Sequence, residues 1–171
     1  MWKILQETFE KTPSQLEVVR KLVFLGLSVK LDDENTGHIY CSDIEIKPAS
    51  LANAVGVDRR AVVEALKKIV RNHQLLDFFS RLTPVANLSA SSGFMGMGVI
   101  QIVPDQADKP GIIAGVLSII STAGINVRQV EVDDPQISDD PRAYVVTEAP
   151  VPPELLSRMR QVPGVRAIVL M

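Results

Sequence analysis

Along the chain, apolar positions recur first at spacings of three and four, which is the period of a helix buried on one face. From Leu16 through Val19, Leu22, Val23 and Leu25 to Gly26 this spacing holds, behind Thr12 as a cap and Pro13 at the first helical position. The polar run Asp32–Gly37 predicts a turn, and the partly alternating, β-branched His38–Lys47 predicts a short strand or ribbon. Pro48 opens a helix that Gly56 breaks, and Asp58 caps a longer one running to about Arg71. Leu75–Leu82 is apolar enough for one more helix.

The stretch Thr83–Gly98, TPVANLSASSGFMGMG, has neither period and is rich in Ser, Gly and other small residues. That is how a linker reads, and it divides the chain into 1–82, a linker 83–97 and 98–171. Beyond it, Val99–Val103 predicts a strand. Pro110–Ala123 predicts a helix, with Ile112, Ile113, Val116, Leu117 and Ile120 on one face and Gly124 past its end. Ile125–Val132 alternates, but Val127 and Val130 fall out of phase, which implies a bulge or a strand apolar on both faces. An acidic turn follows over Asp133–Pro141. Arg142–Thr147, Pro152–Gln161 and Val165–Met171 then read as strand, helix and strand. The order βαββαβ predicts a four-stranded antiparallel sheet with two helices on one face, so the fold class is α+β.

Composition narrows the reading. Apolar residues make up 46% and charged residues 22%, enough for packed cores and too apolar for a disordered chain. No apolar run is long enough to span a bilayer, and MWKILQETFEK lacks the shape of a signal peptide. One cysteine, Cys41, excludes an internal disulfide and suits a reducing compartment, so a cytoplasmic protein without a membrane partner is expected. Charge is uneven: residues 47–71 hold six Lys or Arg against two acids, whereas 99–171 hold six against nine. The short basic stretch therefore needs its own account.

That stretch fits a helix-turn-helix template. Counting Pro48 as one, the small Ala52 falls at five, Gly56 at nine and Val62 at fifteen, with Leu51, Val55, Val57 and Ala65 at the other apolar positions. On a helical wheel, Val62, Ala65, Leu66, Ile69 and Val70 share one arc. Arg59, Arg60, Lys67 and Arg71 lie opposite with Val63 and Glu64, and Lys68 flanks them. Such a face suits a helix laid in a DNA major groove. Arg59 and Arg60 are then candidates for base or phosphate contact, Lys67 and Lys68 for phosphate, and Asn53 for a backbone contact from the first helix. A solvated charged face, or a protein contact, is the alternative for the same residues.

Asp108-Lys109-Pro110-Gly111 ahead of an apolar helix, Gly124-Ile125-Asn126-Val127 with Asn126 eighteen residues after Asp108, and Pro163-Gly164-Val165 before the last strand together resemble the ACT family, over residues 98–171. The resemblance implies a regulatory module that binds an amino acid or similar small effector and pairs side by side into a homodimer or higher homo-oligomer. It places ligand contacts on Gln106, Asp108 and Asn126, with Lys109, Pro110, Gly111, Ile112 and Val127 around them. The physics of the loop agrees: a helix N-terminus attracts a carboxylate, and an Asp beside it can accept from an ammonium. Asp108 could equally be a helix cap, and Asn126 a left-handed turn residue.

Joined, the two halves resemble the archaeal regulators that fuse a plain or winged helix-turn-helix to a C-terminal ACT domain. The implied function is an amino-acid-responsive transcription regulator whose partners are a small effector, double-stranded DNA and a second copy of itself. The alternative is a non-catalytic regulatory subunit that confers amino-acid feedback on a biosynthetic enzyme. Nothing suggests catalysis: there is no carboxylate pair, nucleophile elbow or phosphate-binding glycine loop, and GFMGMG follows no strand. His38, His73 and Cys41 form no metal-ligand spacing, so neither metal nor cofactor is expected.

Overall fold

The computed structural model describes residues 1–171 and divides into two compact units, Met1–Val85 and Ala86–Met171. It is a mixed α+β protein with two antiparallel sheets.

The first unit begins with α1 (Trp2–Phe9) and α2 (Pro13–Phe24). Thr12 stands at the N-cap of α2, yet its hydroxyl donates back to the Phe9 carbonyl (3.2 Å) instead of capping the helix. Gly26 then turns the chain at φ 64°, where a Cβ would lie 2.4 Å from the Thr83 carbonyl oxygen. Three short strands follow: β1 (Ser28–Leu31), β2 (Gly37–Cys41) and β3 (Ile44–Ile46), paired in that order. The ribbon expected from residue 38 onward is therefore a hairpin, and its outer neighbour β1 extends it to three strands. The Asp32–Gly37 turn is held by Asp32, whose Oδ1 accepts from the amides of Glu34 (3.0 Å) and Thr36 (2.7 Å).

Next come α3 (Pro48–Val55), α4 (Arg59–Arg71) and α5 (His73–Ser80). Asp58 caps α4 by accepting from the Arg60 amide (2.7 Å), and Asn72 caps α5 through the amides of Gln74 and Leu75. The core of this unit joins Phe9, Val18, Leu22, Val62, Ile69 and Phe79, with Val29 and Ile39 supplied by the sheet. Each is a helix position at the three-and-four spacing or an inward strand position, so burial follows the period.

The second unit contains β4 (Gly98–Pro104), α6 (Ile112–Thr122), β5 (Val127–Val132), β6 (Ala143–Thr147), α7 (Pro153–Arg160) and β7 (Val165–Leu170). Its sheet runs β5-β6-β4-β7, antiparallel throughout, the split-βαβ order. Ile100, Ile102, Val145 and Ile168 meet Val116, Ile120 and Met159 of the two helices in the core. The out-of-phase valines of β5 are explained by a register shift between Val127 and Gln129.

The Ser/Gly-rich segment departs from the linker expected over 83–97. Residues from Ala86 onward belong to the second unit, and Ser92–Met95 forms a 3-10 turn against β4. The side-chain amide of Gln129 on β5 clamps this segment, accepting from the Leu88 amide (2.8 Å) and donating to the Ala86 carbonyl (2.7 Å). A low-complexity stretch needs no period of its own when another strand supplies its hydrogen bonds. No helix is long and apolar enough to cross a membrane.

Candidate functional site

Two sets of residues were singled out by sequence, one in each unit.

In the first unit, α3 and α4 pack together with Ala52 (2% exposed) and Val62 (0%) between them. Gly56 ends α3 at φ 78°, a left-handed conformation that a β-carbon would strain, and nothing lies within 4 Å of where that carbon would be. Glycine is needed there for its backbone and not for space. The turn sends the chain into α4 with Arg59 and Arg60 exposed on its first turn, and Asn53 is exposed on α3. Lys67 is also exposed, and donates to Glu64 (2.8 Å); that pairing, led by the hydrogen bond, lowers the Glu64 carboxyl below its usual range.

Lys68, the other phosphate candidate, is half-buried and bonded within the unit. Its Nζ donates to Thr12 Oγ1 (3.1 Å) and the Thr8 carbonyl (3.4 Å), and stands 5.2 Å from the Phe9 ring centroid. It ties α4 to the α1–α2 junction. Arg71, left unassigned by sequence, is exposed at the end of α4 and forms no ion pair.

In the second unit, the loop 105–111 leaves β4 and leads into α6. Pro110 does not occupy the first helical position: Gly111 takes φ 93°, outside helical space, so α6 starts at Ile112. Asp108 does not cap α6, which has no side-chain cap, so its first-turn amides are left to solvent or to an anion. Gln106, Asp108, Lys109, Pro110 and Gly111 are exposed, and Ile112 is buried below them. The loop is anchored by the Asp105 amide on the Gly164 carbonyl (2.9 Å). Gly164, at φ 95°, would place a Cβ 3.0 Å from Ile112 and Lys109, so the Pro163-Gly164 turn supports the loop at close range.

Beside the loop is a cavity of about 40 Å³ bounded by Ala107, Lys109, Ile113, Val132 and Arg142. Arg142 donates through Nε to Asp140 (3.1 Å), and its amide donates to Asp133 (3.0 Å). Glu131, on the neighbouring strand, has a buried Oε2 without a hydrogen-bond partner. Burial first, and the Asp133 carboxylate second, push its carboxyl above the usual range.

Asn126 is not part of this group within one chain. It lies ahead of β5, beside the end of β6, whereas the loop adjoins the other end of both strands. At about 3.3 Å per residue, the length of β5 puts some 17 to 20 Å between them. Nor does Asn126 take a left-handed conformation; Gly124 does, at φ 74°. Asn126 donates to both oxygens of Glu148 (3.0 Å each), which also faces Arg128 at 3.7 Å. Val127 is exposed on β5, an edge strand. Sequence missed Arg142 because its proximity to the loop depends on strand pairing between distant segments, and Glu131, on the other face of β5 from the cavity-lining Val132, is not part of that cavity.

No family model matches the chain, and no curated protein is similar to it. Among solved structures, the crystal structure of PH0061 is 14% identical over 83% of this chain and 91% of that one, with a TM-score of 0.27.

Proposed function

We propose that this protein is a dimeric transcription regulator whose affinity for DNA is set by a small effector, an amino acid or close analogue, bound by an ACT-like second unit. The reading rests chiefly on the α3–α4 pair, a helix-turn-helix with Arg59 and Arg60 free on the first exposed turn of the second helix. In a helix-turn-helix this end enters the major groove, and two guanidinium groups there can reach base edges or phosphates.

The second unit is read as the sensor because the uncapped start of α6 offers amides to a carboxylate beside the Asp108 side chain. The distance between Asp108 and Asn126 makes a single-chain site implausible on geometry, and pairing of two copies removes that difficulty. If two β5 edges pair antiparallel, Asn126 of one copy comes beside loop 105–111 of the other. Val130 and Val132, 38% and 53% exposed at that edge, would then be covered. The effector can change DNA affinity only if it binds one arrangement of the dimer better than another.

Binding of promoter DNA fragments, titrated at fixed salt with and without each amino acid, tests the reading. Replacing Arg59 and Arg60 by Ala should abolish specific binding and reduce the salt slope by about one per lost phosphate contact, with the dimer intact. Retained DNA binding in that variant refutes the assignment of α4. Capture of a biosynthetic enzyme, with no DNA bound, would instead support the regulatory-subunit alternative.

A further inference from the structure

A groove runs along α4 beyond Arg59 and Arg60, and of the residues assigned to DNA it includes only Lys67. It has a volume of about 390 Å³ and lies between α4 and the turn 35–37 that joins β1 to β2. Val63, Leu66 and Val70 form its apolar floor, and Lys67 and Arg71 its cationic rim. No carboxylate lines it.

Both walls are built before any ligand arrives. The turn is fixed by the two amide bonds to Asp32 Oδ1 and by Asn35 in a left-handed conformation at φ 58°. It reaches close to the helix only because residue 37 is glycine: a Cβ there would stand 2.8 Å from Val70 Cγ2. A preformed, mainly apolar cleft of this size with a few convergent polar groups is the usual form of a small-molecule site.

The charge pattern selects the ligand. Lys67 is hydrogen-bonded to Glu64 at 2.8 Å, whereas Arg71 forms no ion pair and acts on the Glu64 carboxylate only through its charge. A guanidinium with its donors free prefers a planar carboxylate, which it can hold by two parallel hydrogen bonds. From Val63 to Arg71 the helix rises about 12 Å at 1.5 Å per residue. We propose that this groove binds an amphiphilic carboxylate of medium chain length, its head on Arg71 and its apolar tail along Val70, Leu66 and Val63. Binding itself does not depend on the DNA reading. If that reading holds, an occupied groove also fills space beside Lys67 on the DNA-facing arc, so the ligand would compete with DNA.

Octanoate, octanamide and inorganic phosphate serve as probes, titrated into the full chain by calorimetry with amide chemical shifts followed in parallel. Saturable one-site octanoate binding is expected, with the largest shifts at residues 35–37 and 63–71. Octanamide and phosphate should each bind at least about tenfold more weakly, and Arg71→Gln should cost octanoate a similar factor. Val63→Asn, a neutral change at a half-buried position of the apolar floor, should weaken octanoate but not phosphate. Absent or unsaturable octanoate binding overturns the proposal. So do equal affinities for octanoate and octanamide, an Arg71→Gln variant with unchanged affinity, or shifts centred elsewhere. These titrations contain no DNA, so failure of the transcriptional reading would leave their outcome unchanged.

Discussion

Lys67 and Lys68 are neighbours on one helix and have different work. Lys68 reaches the hydroxyl of Thr12 and the face of Phe9, so Lys68→Ala should lower stability by about 1 kcal/mol and leave the salt dependence of DNA binding unchanged. Lys67→Ala, at an exposed site, should do the reverse; thermal melts and salt titrations separate the two. His38 offers a second test. Its ring nitrogens meet Glu45 Oε1 at 2.7 Å and Asp32 Oδ2 at 3.0 Å, and these bonds, the Glu45 one first, raise its pKa above 6.5. Stability from the charged ring is therefore complete below pH 6.5 and is lost as pH rises through the higher folded value. At an exposed site this amounts to less than about 1 kcal/mol. Melting temperature should fall between pH 6 and 8 in the wild type more than in His38→Gln, and an equal fall in both would refute the cluster's role. The Asp32 pKa is lowered, chiefly by the Thr36 amide, so its contribution is present above pH 3.8 and lost in stronger acid. None of this was legible in sequence: Lys68 meets residues 56 and 60 positions away, and a charged side chain looks alike on either arc until its partner is placed.

Elements were read more reliably than residues because period is local and contact is not. Helices α3 and α4, with Gly56 between them and Asp58 as a cap, follow from spacing and cap chemistry, and so do the order of elements and the bulge in β5. Strand β1 was missed: Ser28–Leu31 is four residues long, has a buried-buried-exposed-exposed pattern, and so carries no alternation to detect. Trp2–Phe9 was considered only as a targeting segment, and its helix rests on Leu5 and Phe9 being buried in the unit's core. At the start of α6 the Pro rule and the Gly conformation compete. Gly111, at φ 93°, wins because one residue outside helical space moves the start beyond Pro110. Gly115 on the same helix tests packing between α6 and the turn that follows α7, since a Cβ there would lie 2.6 Å from Val162 Cγ1. Gly115→Ala should therefore cost about 1 to 3 kcal/mol in chemical denaturation despite its better helix propensity. A gain in stability would mean Val162 yields freely.

At the scale of the molecule, the division falls at Val85–Ala86, inside the stretch that composition marked as a linker. The seam was legible, but its edge was not, because the bonds that claim residues 86–88 come from a glutamine 41 to 43 positions later. A fragment of residues 86–171 should accordingly melt at a higher temperature than one of residues 98–171, and Gln129→Ala should narrow that difference. The same clamp sets a route for mechanical load. Covalently the connecting chain runs into β4, a central strand, but before it gets there it is pinned to β5, an edge strand. A pull arriving along that chain therefore loads the edge strand β5 before any tension reaches β4.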